Sequence, residues 1–383
     1  MRAAVLVAPG RMQIAEVPVI DPGPGEILLR VGAVGLCGTD FHIFSGHGNY
    51  HSDETGRLVP FEESPQILGH EFVGVVEAVG ARVVDLSAGD VVVVDQGRNC
   101  VSEGRGPCEY CATGDSHQCA HYGEHGITGL PGALAEFITV PAANALRVEG
   151  IPLTRAALTE PLACIVHSSD LADRANARYR FRHPEPAHGV RTVLIFGGGP
   201  AGLLFTQYFR NALAFDGVII VSEPNTLKRE MAMRFGASAA IDPTSTDLAE
   251  AVSTLTSGRR AEYAIDASGA GAVFAAIPSV LRKQGTFVLY GHGHAGVDLS
   301  VLNNVQFLEP SLVSPVGASG GFEPDGRPTT YRRALGLIET GRIDVESFVT
   351  HRYQSLDEVP AAFAGAHHAP DYVKGIVQLT THA

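Results

Sequence analysis

Residues 192–202 read Thr-Val-Leu-Ile-Phe-Gly-Gly-Gly-Pro-Ala-Gly, and this stretch decides the fold. Its first five residues form a continuous apolar run with β-branched side chains, which predicts a strand buried on both faces. Glycines 197, 199 and 202 follow, and then a helical pattern begins at Leu203. The order of strand, glycine turn and helix is the setting in which the G-x-G-x-x-G pattern binds a dinucleotide.

The residues of this turn have separate physical roles. Gly197 allows the tight turn, Gly199 lets the backbone approach a pyrophosphate, and Gly202 lets the helix pack against the strand. Pro200 and Ala201 complete the predicted cofactor-binding set, at the helix start whose N–H groups face the phosphates. A glycine turn without any ligand is the alternative interpretation.

An acidic residue and a second copy of the pattern refine this prediction. The next predicted strand, 218–221, ends just before Glu223, where an acid accepts hydrogen bonds from the adenosine ribose hydroxyls and favours NAD over NADP. Residues 291–296, Gly-His-Gly-His-Ala-Gly, also fit the pattern after a strand-like run. Neither an amphipathic helix nor an acid follows, so we predict that this second copy is a loop near the cofactor.

Length and composition exclude several classes of protein. The 383 residues suggest two or three domain-sized units, and 45% hydrophobic with 18% charged residues is an ordinary globular balance. A net charge of −13, without an evident basic cluster, argues against nucleic-acid binding. The N-terminus does not resemble a signal peptide and no apolar run is long enough for a bilayer, so we expect a cytoplasmic protein without a membrane partner.

The first and second halves of the chain show different patterns. Residues 1–36 alternate with period two between Pro and Gly turns, which predicts an antiparallel β domain. From residue 192 to about 313, strands and helices alternate, which predicts a parallel sheet covered on both faces. We interpret residues 43–65 as a polar loop at a surface or pocket rim, and residues 173–190 as an exposed insertion.

Cysteines point to a metal site. Six in so long a chain do not form a disulfide framework, and four lie within twenty residues: Cys100, Cys108, Cys111 and Cys119. A C-x₂-C pair with two further cysteines nearby is typical of a closed, tetrahedral structural zinc site. Free thiols in a loop are the alternative.

Five motifs in order resemble those of the zinc-dependent medium-chain dehydrogenases, and most of all the sorbitol and threonine dehydrogenase branch. They are Gly35-Leu36-Cys37-Gly38-Thr39-Asp40-x-His42, Gly69-His70-Glu71, the cysteine lobe, Glu160-Pro161-Leu162 and the glycine turn. The resemblance covers essentially the whole chain. It implies a GroES-like, mainly antiparallel β catalytic domain over 1–165 with a zinc lobe at about 97–122. It also implies a Rossmann domain with a doubly wound parallel sheet over 166–317, a return of 318–383 to the catalytic domain, and an active site in the cleft between the domains.

Site residues also follow from the resemblance. Cys37, His70 and Glu71 match the ligands of a catalytic zinc, and Glu160 matches an acid that approaches the metal or its water. Such a ligand set leaves a position open for an alcohol oxygen. Asp40 would orient His70 from behind.

Proton and cofactor roles are implied in the same way. Thr39 matches the hydroxyl that takes the alcohol proton, and His42 matches the group that passes it to solvent by way of the cofactor ribose. Lys228 matches a cation beside the adenosine ribose. One position departs from the family, because Arg105 stands where the first cysteine of the lobe usually lies, and Cys100 is the candidate replacement.

The expected function is oxidation of a secondary alcohol on a polyol, sugar or cyclitol, with zinc and NAD as cofactors. The polyol preference depends on the branch resemblance and on the polar, histidine-rich residues 47–54. An apolar or amino-alcohol substrate is one alternative, and a non-catalytic nucleotide-binding or redox-sensing protein is another. By analogy with relatives we expect a homo-dimer or homo-tetramer.

Overall fold

The computed structural model describes residues 1–175, 177–294, 296–297 and 299–380, which form two compact units. Unit 1 contains Met1–Ala163, Ala318–Gly341 and the chain from Val345 onward. Unit 2 contains Cys164–Gly317 and Arg342–Asp344. The sequence did not predict that Arg342–Asp344 belong with unit 2. They do so because the Gln207 side-chain amide donates to Asp344 O (2.8 Å) and accepts from Asp344 N (2.8 Å).

Unit 1 is built mainly from antiparallel strands. Its largest sheet has the order Ala145–Arg147, Val91–Val94, Glu71–Val79, Glu26–Leu36, Lys374–Gln378 and Val349–Tyr353, and Phe137–Pro141 also pairs with Glu26–Leu36. Only the last two strands of that order run parallel to each other. A smaller sheet contains Arg11–Glu16, Arg2–Ala8 and Gln66–Ile67, and a third contains Gly97–Arg98 and Gly123–Glu124.

The central strand of unit 1 explains why this sheet is well buried. Glu26–Leu36 is a nearly continuous apolar run that pairs with three other strands, so almost all of its residues are buried. Leu29, Phe72 and Val92 belong to one hydrophobic core beneath it. The helices of this unit are Gly38–Phe44, Glu109–Ala112, Leu153–Ala156, Thr329–Glu339 and Val359–Ala364. Helix Thr159–Arg174 begins in unit 1 and ends in unit 2.

Unit 2 contains a six-stranded parallel sheet. Its order is Ala239–Ile241, Val218–Ser222, Thr192–Phe196, Ala261–Asp266, Leu281–Leu289 and Ser311–Val313. Numbered along the chain this order is 3-2-1-4-5-6, the doubly wound Rossmann arrangement. Its helices are Pro200–Gln207, Thr226–Arg234, Leu248–Leu255, Ala272–Val280 and Leu302–Val305. The predicted fold class is therefore confirmed.

Two local predictions have different outcomes. The second glycine pattern is indeed irregular over 291–294, whereas Ala295 lies outside the described residues. The prediction that 173–190 is an exposed insertion is wrong in part, because Tyr179 is buried and the Phe181 ring stacks on that of Phe209 at 4.9 Å. Aromatic rings within this polar segment find apolar partners, which its Arg-rich composition conceals. Among the residues described, no helix has the combination of length and apolar character that crossing a bilayer requires.

Candidate functional site

Strand pairing brings the first group of candidate residues together. Cys37 directly follows the strand Glu26–Leu36 and caps the helix Gly38–Phe44, whereas Glu71 begins the neighbouring strand Glu71–Val79. The antiparallel register sets Gly35 opposite Glu71. Two motifs that lie 34 residues apart in sequence therefore meet at one edge of the sheet.

Asp40 fixes the relative position of these two motifs. Its Oδ2 accepts a hydrogen bond from Cys37 N at 2.9 Å, and its Oδ1 accepts one from Gly69 N at 3.2 Å. The same Oδ1 lies 3.3 Å from His70 Nδ1. Because Asp40 is fully buried, water does not compete for these contacts, and they hold together the two segments that carry the candidate ligands.

Cys37, His70 and Glu71 offer a sulfur, a nitrogen and an oxygen atom that all lie within 4.8 Å of one another. Lys374 Nζ donates to Glu71 Oε1 at 2.6 Å, and Glu71 Oε2 is buried without a hydrogen-bond partner. A buried carboxylate oxygen without a partner is costly, and a divalent cation would satisfy it. The residues present therefore fit a zinc ion with three protein ligands.

Charges around this cluster shift two pKa values. Burial alone would lower the pKa of His70, but the charges of Asp40 and Cys37 outweigh it and raise that pKa well above its usual value. Burial also works against the Lys374 ammonium, yet the charges of Glu71 and Cys37 raise its pKa. The cluster is thus an environment that favours positive charge.

Glu160 is buried in the first turn of helix Thr159–Arg174 but does not join the group within 4.8 Å. Its Oε1 accepts a hydrogen bond from Gln96 Nε2 at 3.0 Å. Gln96 Nε2 also donates to Glu124 Oε1 at 2.9 Å, and Gln96 Oε1 accepts from the hydroxyl of Tyr331. The structure therefore places Glu160 in a buried polar network of unit 1.

Sequence reasoning missed Gln96 and Lys374. Gln96 follows a valine strand with no motif around it, and nothing in the sequence marks it. Lys374 offers one weak signal, because it is a lysine at the start of the otherwise apolar strand Lys374–Gln378. A cation at that position with only 3% exposure requires a charged partner.

Thr39 and His42 lie on the short helix that begins directly after Cys37. Their spacing of three residues places both side chains on the same helical face, and both are half-buried. The His42 ring lies 6.4 Å from that of His47, which is exposed. Both side chains thus belong to the helix that follows the candidate ligand Cys37, and His42 lies close to an exposed histidine.

The four clustered cysteines also come together. The sulfur atoms of Cys100, Cys108, Cys111 and Cys119 all lie within 4.8 Å of one another. Cys119 Sγ is 3.5 Å from Cys100 Sγ and 3.9 Å from Cys108 Sγ. Four soft sulfur donors at this separation fit a tetrahedral zinc ion with no open position.

The unusual spacing of this lobe has a structural solution. Arg105 has an exposed side chain, and its main-chain N–H donates a hydrogen bond to Cys100 O at 2.8 Å. Residues 100–105 therefore form a turn. Cys100 therefore reaches the other sulfurs from five residues further upstream. The backbone N–H of Cys111 lowers the pKa of Cys108 to about 6, which favours its thiolate, the form that binds metal.

The glycine turn in unit 2 has the geometry that a dinucleotide site requires. Gly197 has a left-handed φ of 99°, and a Cβ atom at Gly202 would lie 1.9 Å from Gly197 O. Only glycine fits either position. The helix Pro200–Gln207 follows with Gly199 as its N-cap, so its first N–H groups point toward the turn.

Glu223 bonds to this turn. Its Oε2 accepts from Gly198 N at 2.6 Å and its Oε1 accepts from Asn225 N at 2.8 Å. Asn225 in turn caps the helix Thr226–Arg234 by accepting from Lys228 N at 3.1 Å. The predicted acid and cation therefore lie beside the glycine turn, linked to it by main-chain N–H groups that donate to the side-chain oxygens of Glu223 and Asn225.

Comparisons with known proteins agree with this arrangement. Residues 23–150 match the family model of the alcohol dehydrogenase GroES-like domain, and residues 200–339 match that of zinc-binding dehydrogenases. An L-threonine 3-dehydrogenase from Pyrococcus abyssi is 30% identical over 354 residues, which cover 92% of this chain and 90% of the relative. A 2-dehydro-3-deoxy-L-galactonate 5-dehydrogenase from Pseudoalteromonas atlantica is 30% identical over 379 residues, which cover 99% and 98%.

Solved structures extend the likeness to the fold. A protein from Sinorhizobium meliloti, described as a zinc-binding dehydrogenase and bound to NADP, superposes with a TM-score of 0.80. It is 28% identical, and the match covers 98% of each chain. Since two relatives with 30% identity span nearly the whole chain, this protein belongs to the zinc-dependent medium-chain dehydrogenase family.

Proposed function

We propose that this chain oxidises a secondary alcohol with NAD as hydride acceptor and a zinc ion held by Cys37, His70 and Glu71. The observation that carries the proposal is the buried, unpartnered Glu71 Oε2 in a group of three different ligand atoms. Three protein ligands leave one position of a tetrahedral site open, as in catalytic zinc sites. A non-catalytic nucleotide-binding protein would have no need for such a group.

A zinc ion bound there would lower the pKa of the alcohol, so that hydride transfer to a nicotinamide becomes feasible near neutral pH. The chain's own residues prepare the site. Asp40 holds the backbone before Cys37 and His70, and Lys374 holds one oxygen of Glu71 so that the other remains available. Because these contacts are buried, the ligands need little rearrangement when the metal binds.

Thr39 and His42 are the proposed path for the alcohol proton. Thr39 would accept the proton through its hydroxyl, and His42 would pass it toward solvent. Their positions on one face of the helix after Cys37 support this order. Glu160, held by Gln96, would supply a negative charge near the site.

NAD is the proposed cofactor because a carboxylate lies beside the glycine turn. Glu223 would exchange a main-chain contact for the ribose hydroxyls, and its charge would repel the 2′-phosphate of NADP. The Sinorhizobium relative was solved with NADP, so this preference needs its own test. Replacement of Glu223 by serine should lower kcat/KM for NAD relative to that for NADP.

The substrate class has two candidates. A polyol, sugar or sugar-acid substrate is supported by the galactonate-derivative dehydrogenase among the relatives, and an amino alcohol is supported by the threonine dehydrogenases of equal identity. Residues 43–65 contain His47, which is exposed, and His51, whose Nδ1 is buried without a partner. The polar character of this segment favours a hydroxyl-rich substrate, which we place first.

A second zinc ion and an oligomer complete the proposal. The second ion would be bound by the four sulfurs of the cysteine lobe and would hold the lobe together without taking part in the reaction.

The strand Ser311–Val313 is an edge of the parallel sheet, and Leu312 and Val316 beside it are half exposed. Such an edge invites pairing with a second copy, so we propose a homo-dimer formed there or a tetramer built from it.

The test is reduction of NAD by the purified protein with a panel of polyols, sugar acids, threonine and simple apolar alcohols, together with elemental analysis. We expect turnover with at least one hydroxyl-rich substrate, two zinc ions per chain, and loss of turnover when the metal is removed by a chelator. Turnover that survives complete loss of zinc would contradict the proposed site. Activity on simple apolar alcohols alone would contradict the substrate class but not the site.

A further inference from the structure

Unit 2 contains a pocket of about 700 Å³ at the end of its sheet opposite the glycine turn. The turn follows the carboxyl end of strand Thr192–Phe196, whereas the pocket lies at the amino ends of Ala261–Asp266 and Leu281–Leu289. Five cationic residues line it: Arg178, Arg259, Arg260, Arg282 and Lys283. They come from three separate parts of the chain, so the sequence showed no basic cluster.

The positive charge of this pocket is mostly unpaired. One carboxylate oxygen, Glu262 Oε1, serves two of the cations: it lies 2.8 Å from Arg259 Nε and 3.9 Å from Arg282 Nη1. Among the described residues of the lining the one acid is Glu309, which accepts a hydrogen bond from the side chain of Gln284 at 3.1 Å.

The other three cations, Arg178, Arg260 and Lys283, form no ion pair with an acid in the part of the chain that the structure describes. The pocket thus gathers five of the chain's 28 lysines and arginines in a protein of net charge −13. Like charges repel one another, and an anion bound there would relieve that repulsion.

Two of the five cationic groups are held by one aromatic ring. Tyr179 is buried, and its hydroxyl accepts a hydrogen bond from Arg282 Nε at 2.8 Å. The guanidinium carbons of Arg178 and Arg282 lie 5.8 and 5.7 Å from the centre of the same ring. Arg259 Nη2 is buried without a hydrogen-bond partner. Groups fixed before binding lose little conformational entropy when a ligand arrives.

Backbone strain is concentrated at the same place. In the described part of the chain five residues other than glycine have a left-handed φ, and three of them line this pocket. They are Arg260 at 66°, Gln284 at 59° and Glu309 at 48°. Such conformations are costly for residues with a side chain, and they collect at binding and catalytic sites.

We propose that this pocket is a binding site for a small polyanion that carries phosphate groups. Guanidinium groups match phosphate oxygens with paired hydrogen bonds, and several of them converge here. The volume suits a metabolite-sized ligand and exceeds what a single phosphate fills. This proposal does not depend on the proposed function, since the pocket and the glycine turn lie at opposite ends of the sheet.

The experiment is isothermal titration calorimetry, which measures the affinity of the full chain for inorganic pyrophosphate at low ionic strength. It is repeated with citrate as a carboxylate probe. The pocket variant is Arg178→Ala with Lys283→Ala, because both side chains are exposed and neither has an ion pair in the described chain. The control is Arg11→Ala with Arg234→Ala, two exposed arginines elsewhere whose removal changes the net charge by the same amount. Thermal melts establish that each variant is folded, and Lys283→Gln alone replaces the double variant if that one does not fold.

We expect pyrophosphate to bind the wild type and the control with affinities within about twofold of each other, and the pocket variant at least about tenfold more weakly. Binding should persist when NAD is present in excess. Equal affinity of the pocket variant, displacement of pyrophosphate by NAD, tighter binding of citrate than of pyrophosphate, or no binding to the wild type would each overturn the proposal. So would dissociation of an oligomer by the pocket substitutions, because the pocket would then hold an acidic segment of a second copy.

Discussion

Unit 1 contains two clusters of potential metal ligands that are of similar size but differ in their donor atoms and in their surroundings. In each, the donor atoms lie within 4.8 Å of one another. The first mixes the sulfur of Cys37 with a nitrogen of His70 and an oxygen of Glu71, whereas the second consists of four sulfurs. The number and type of donor atoms decide whether a metal site keeps an open position for a substrate.

The groups that surround the two clusters also differ. Asp40 and Lys374, both buried and charged, contact the mixed cluster directly. The sulfur cluster instead receives main-chain groups, such as the His121 N–H that lies 3.4 Å from Cys119 Sγ. Charged groups behind ligands adjust the basicity and orientation of those ligands strongly, whereas main-chain N–H groups mainly hold the position of the loop and favour the thiolate form. These differences support the proposal that the first cluster takes part in the reaction and that the second stabilises the fold.

The largest expected effect comes from the mixed cluster. Cys37→Ser removes the sulfur donor, and we expect kcat to fall by about 10³-fold or more because the proposed zinc ion would supply several kcal/mol to the reaction. The matched control is Cys164→Ser, a buried cysteine of helix Thr159–Arg174 that belongs to neither cluster. Steady-state kinetics and zinc content are the measurements. A Cys37→Ser variant that keeps both its zinc and its turnover would remove the distinction between the two clusters.

The sequence predicted the parts of these sites that are local. The glycine turn, the ligand motifs and the four cysteines each lie in a short stretch whose spacing carries the information. The doubly wound sheet could be predicted because alternating strands and helices have few other solutions.

Contacts between distant parts of the chain could not be predicted. Lys374 and Glu71 lie 303 residues apart, and their meeting depends on the pairing of Lys374–Gln378 with Glu26–Leu36. The cationic pocket was hidden for the same reason, since its members are neighbours only in the folded sheet. Periodicity reports how a segment folds, whereas the choice of neighbouring strands depends on the packing of the whole domain.

The next effect concerns the lysine behind Glu71. Lys374→Met should destabilise the zinc-free protein by about 3 kcal/mol, because it leaves a buried carboxylate without its partner. Zinc would neutralise that carboxylate, so the loss should be much smaller in the zinc-loaded protein. Chemical denaturation with and without zinc measures both values, and Lys374→Arg is the control that keeps the charge. An equal loss in both states would mean that Glu71 does not take part in binding the metal.

A smaller effect is expected from the sulfur cluster. Cys119→Ser removes a sulfur that lies within 4 Å of two others, 3.5 Å from Cys100 Sγ and 3.9 Å from Cys108 Sγ. We expect the melting temperature to fall by about 5 °C, which corresponds to roughly 2 kcal/mol. Turnover per folded molecule should stay within about fivefold of the wild type, since this site has no open position for substrate. Scanning calorimetry and proteolysis of residues 100–119 are the measurements. A loss of kcat as large as that of Cys37→Ser would contradict the purely architectural role.

The smallest expected effect is a change in stability with pH that comes from His125. Measuring it separates the acid sensitivity of the two ligand clusters from that of the surrounding protein. His125 lies just beyond the cysteine lobe, is fully buried, and has its Nδ1 2.8 Å from Pro131 O while its Nε2 has no partner. Burial lowers the pKa of His125 to about 4, with the charge of Arg98 acting in the same direction. Because the unfolded chain binds a proton near pH 6.5 and the folded chain does not, stability is fully present above that pH and declines as the pH falls toward 4.

Between pH 7.5 and 5.5 this single group should remove about 1 kcal/mol of stability, measured as the free energy of unfolding in urea. His125→Gln has no titrating group and should lose that part of the pH dependence, whereas His121→Gln, an exposed histidine of the same segment, should keep it. If the His125→Gln profile retained the full slope, protonation of the metal ligands would account for the acid sensitivity. Subtracting the His125 contribution therefore leaves the part of the profile that belongs to the clusters, and only that part should disappear when zinc is withheld.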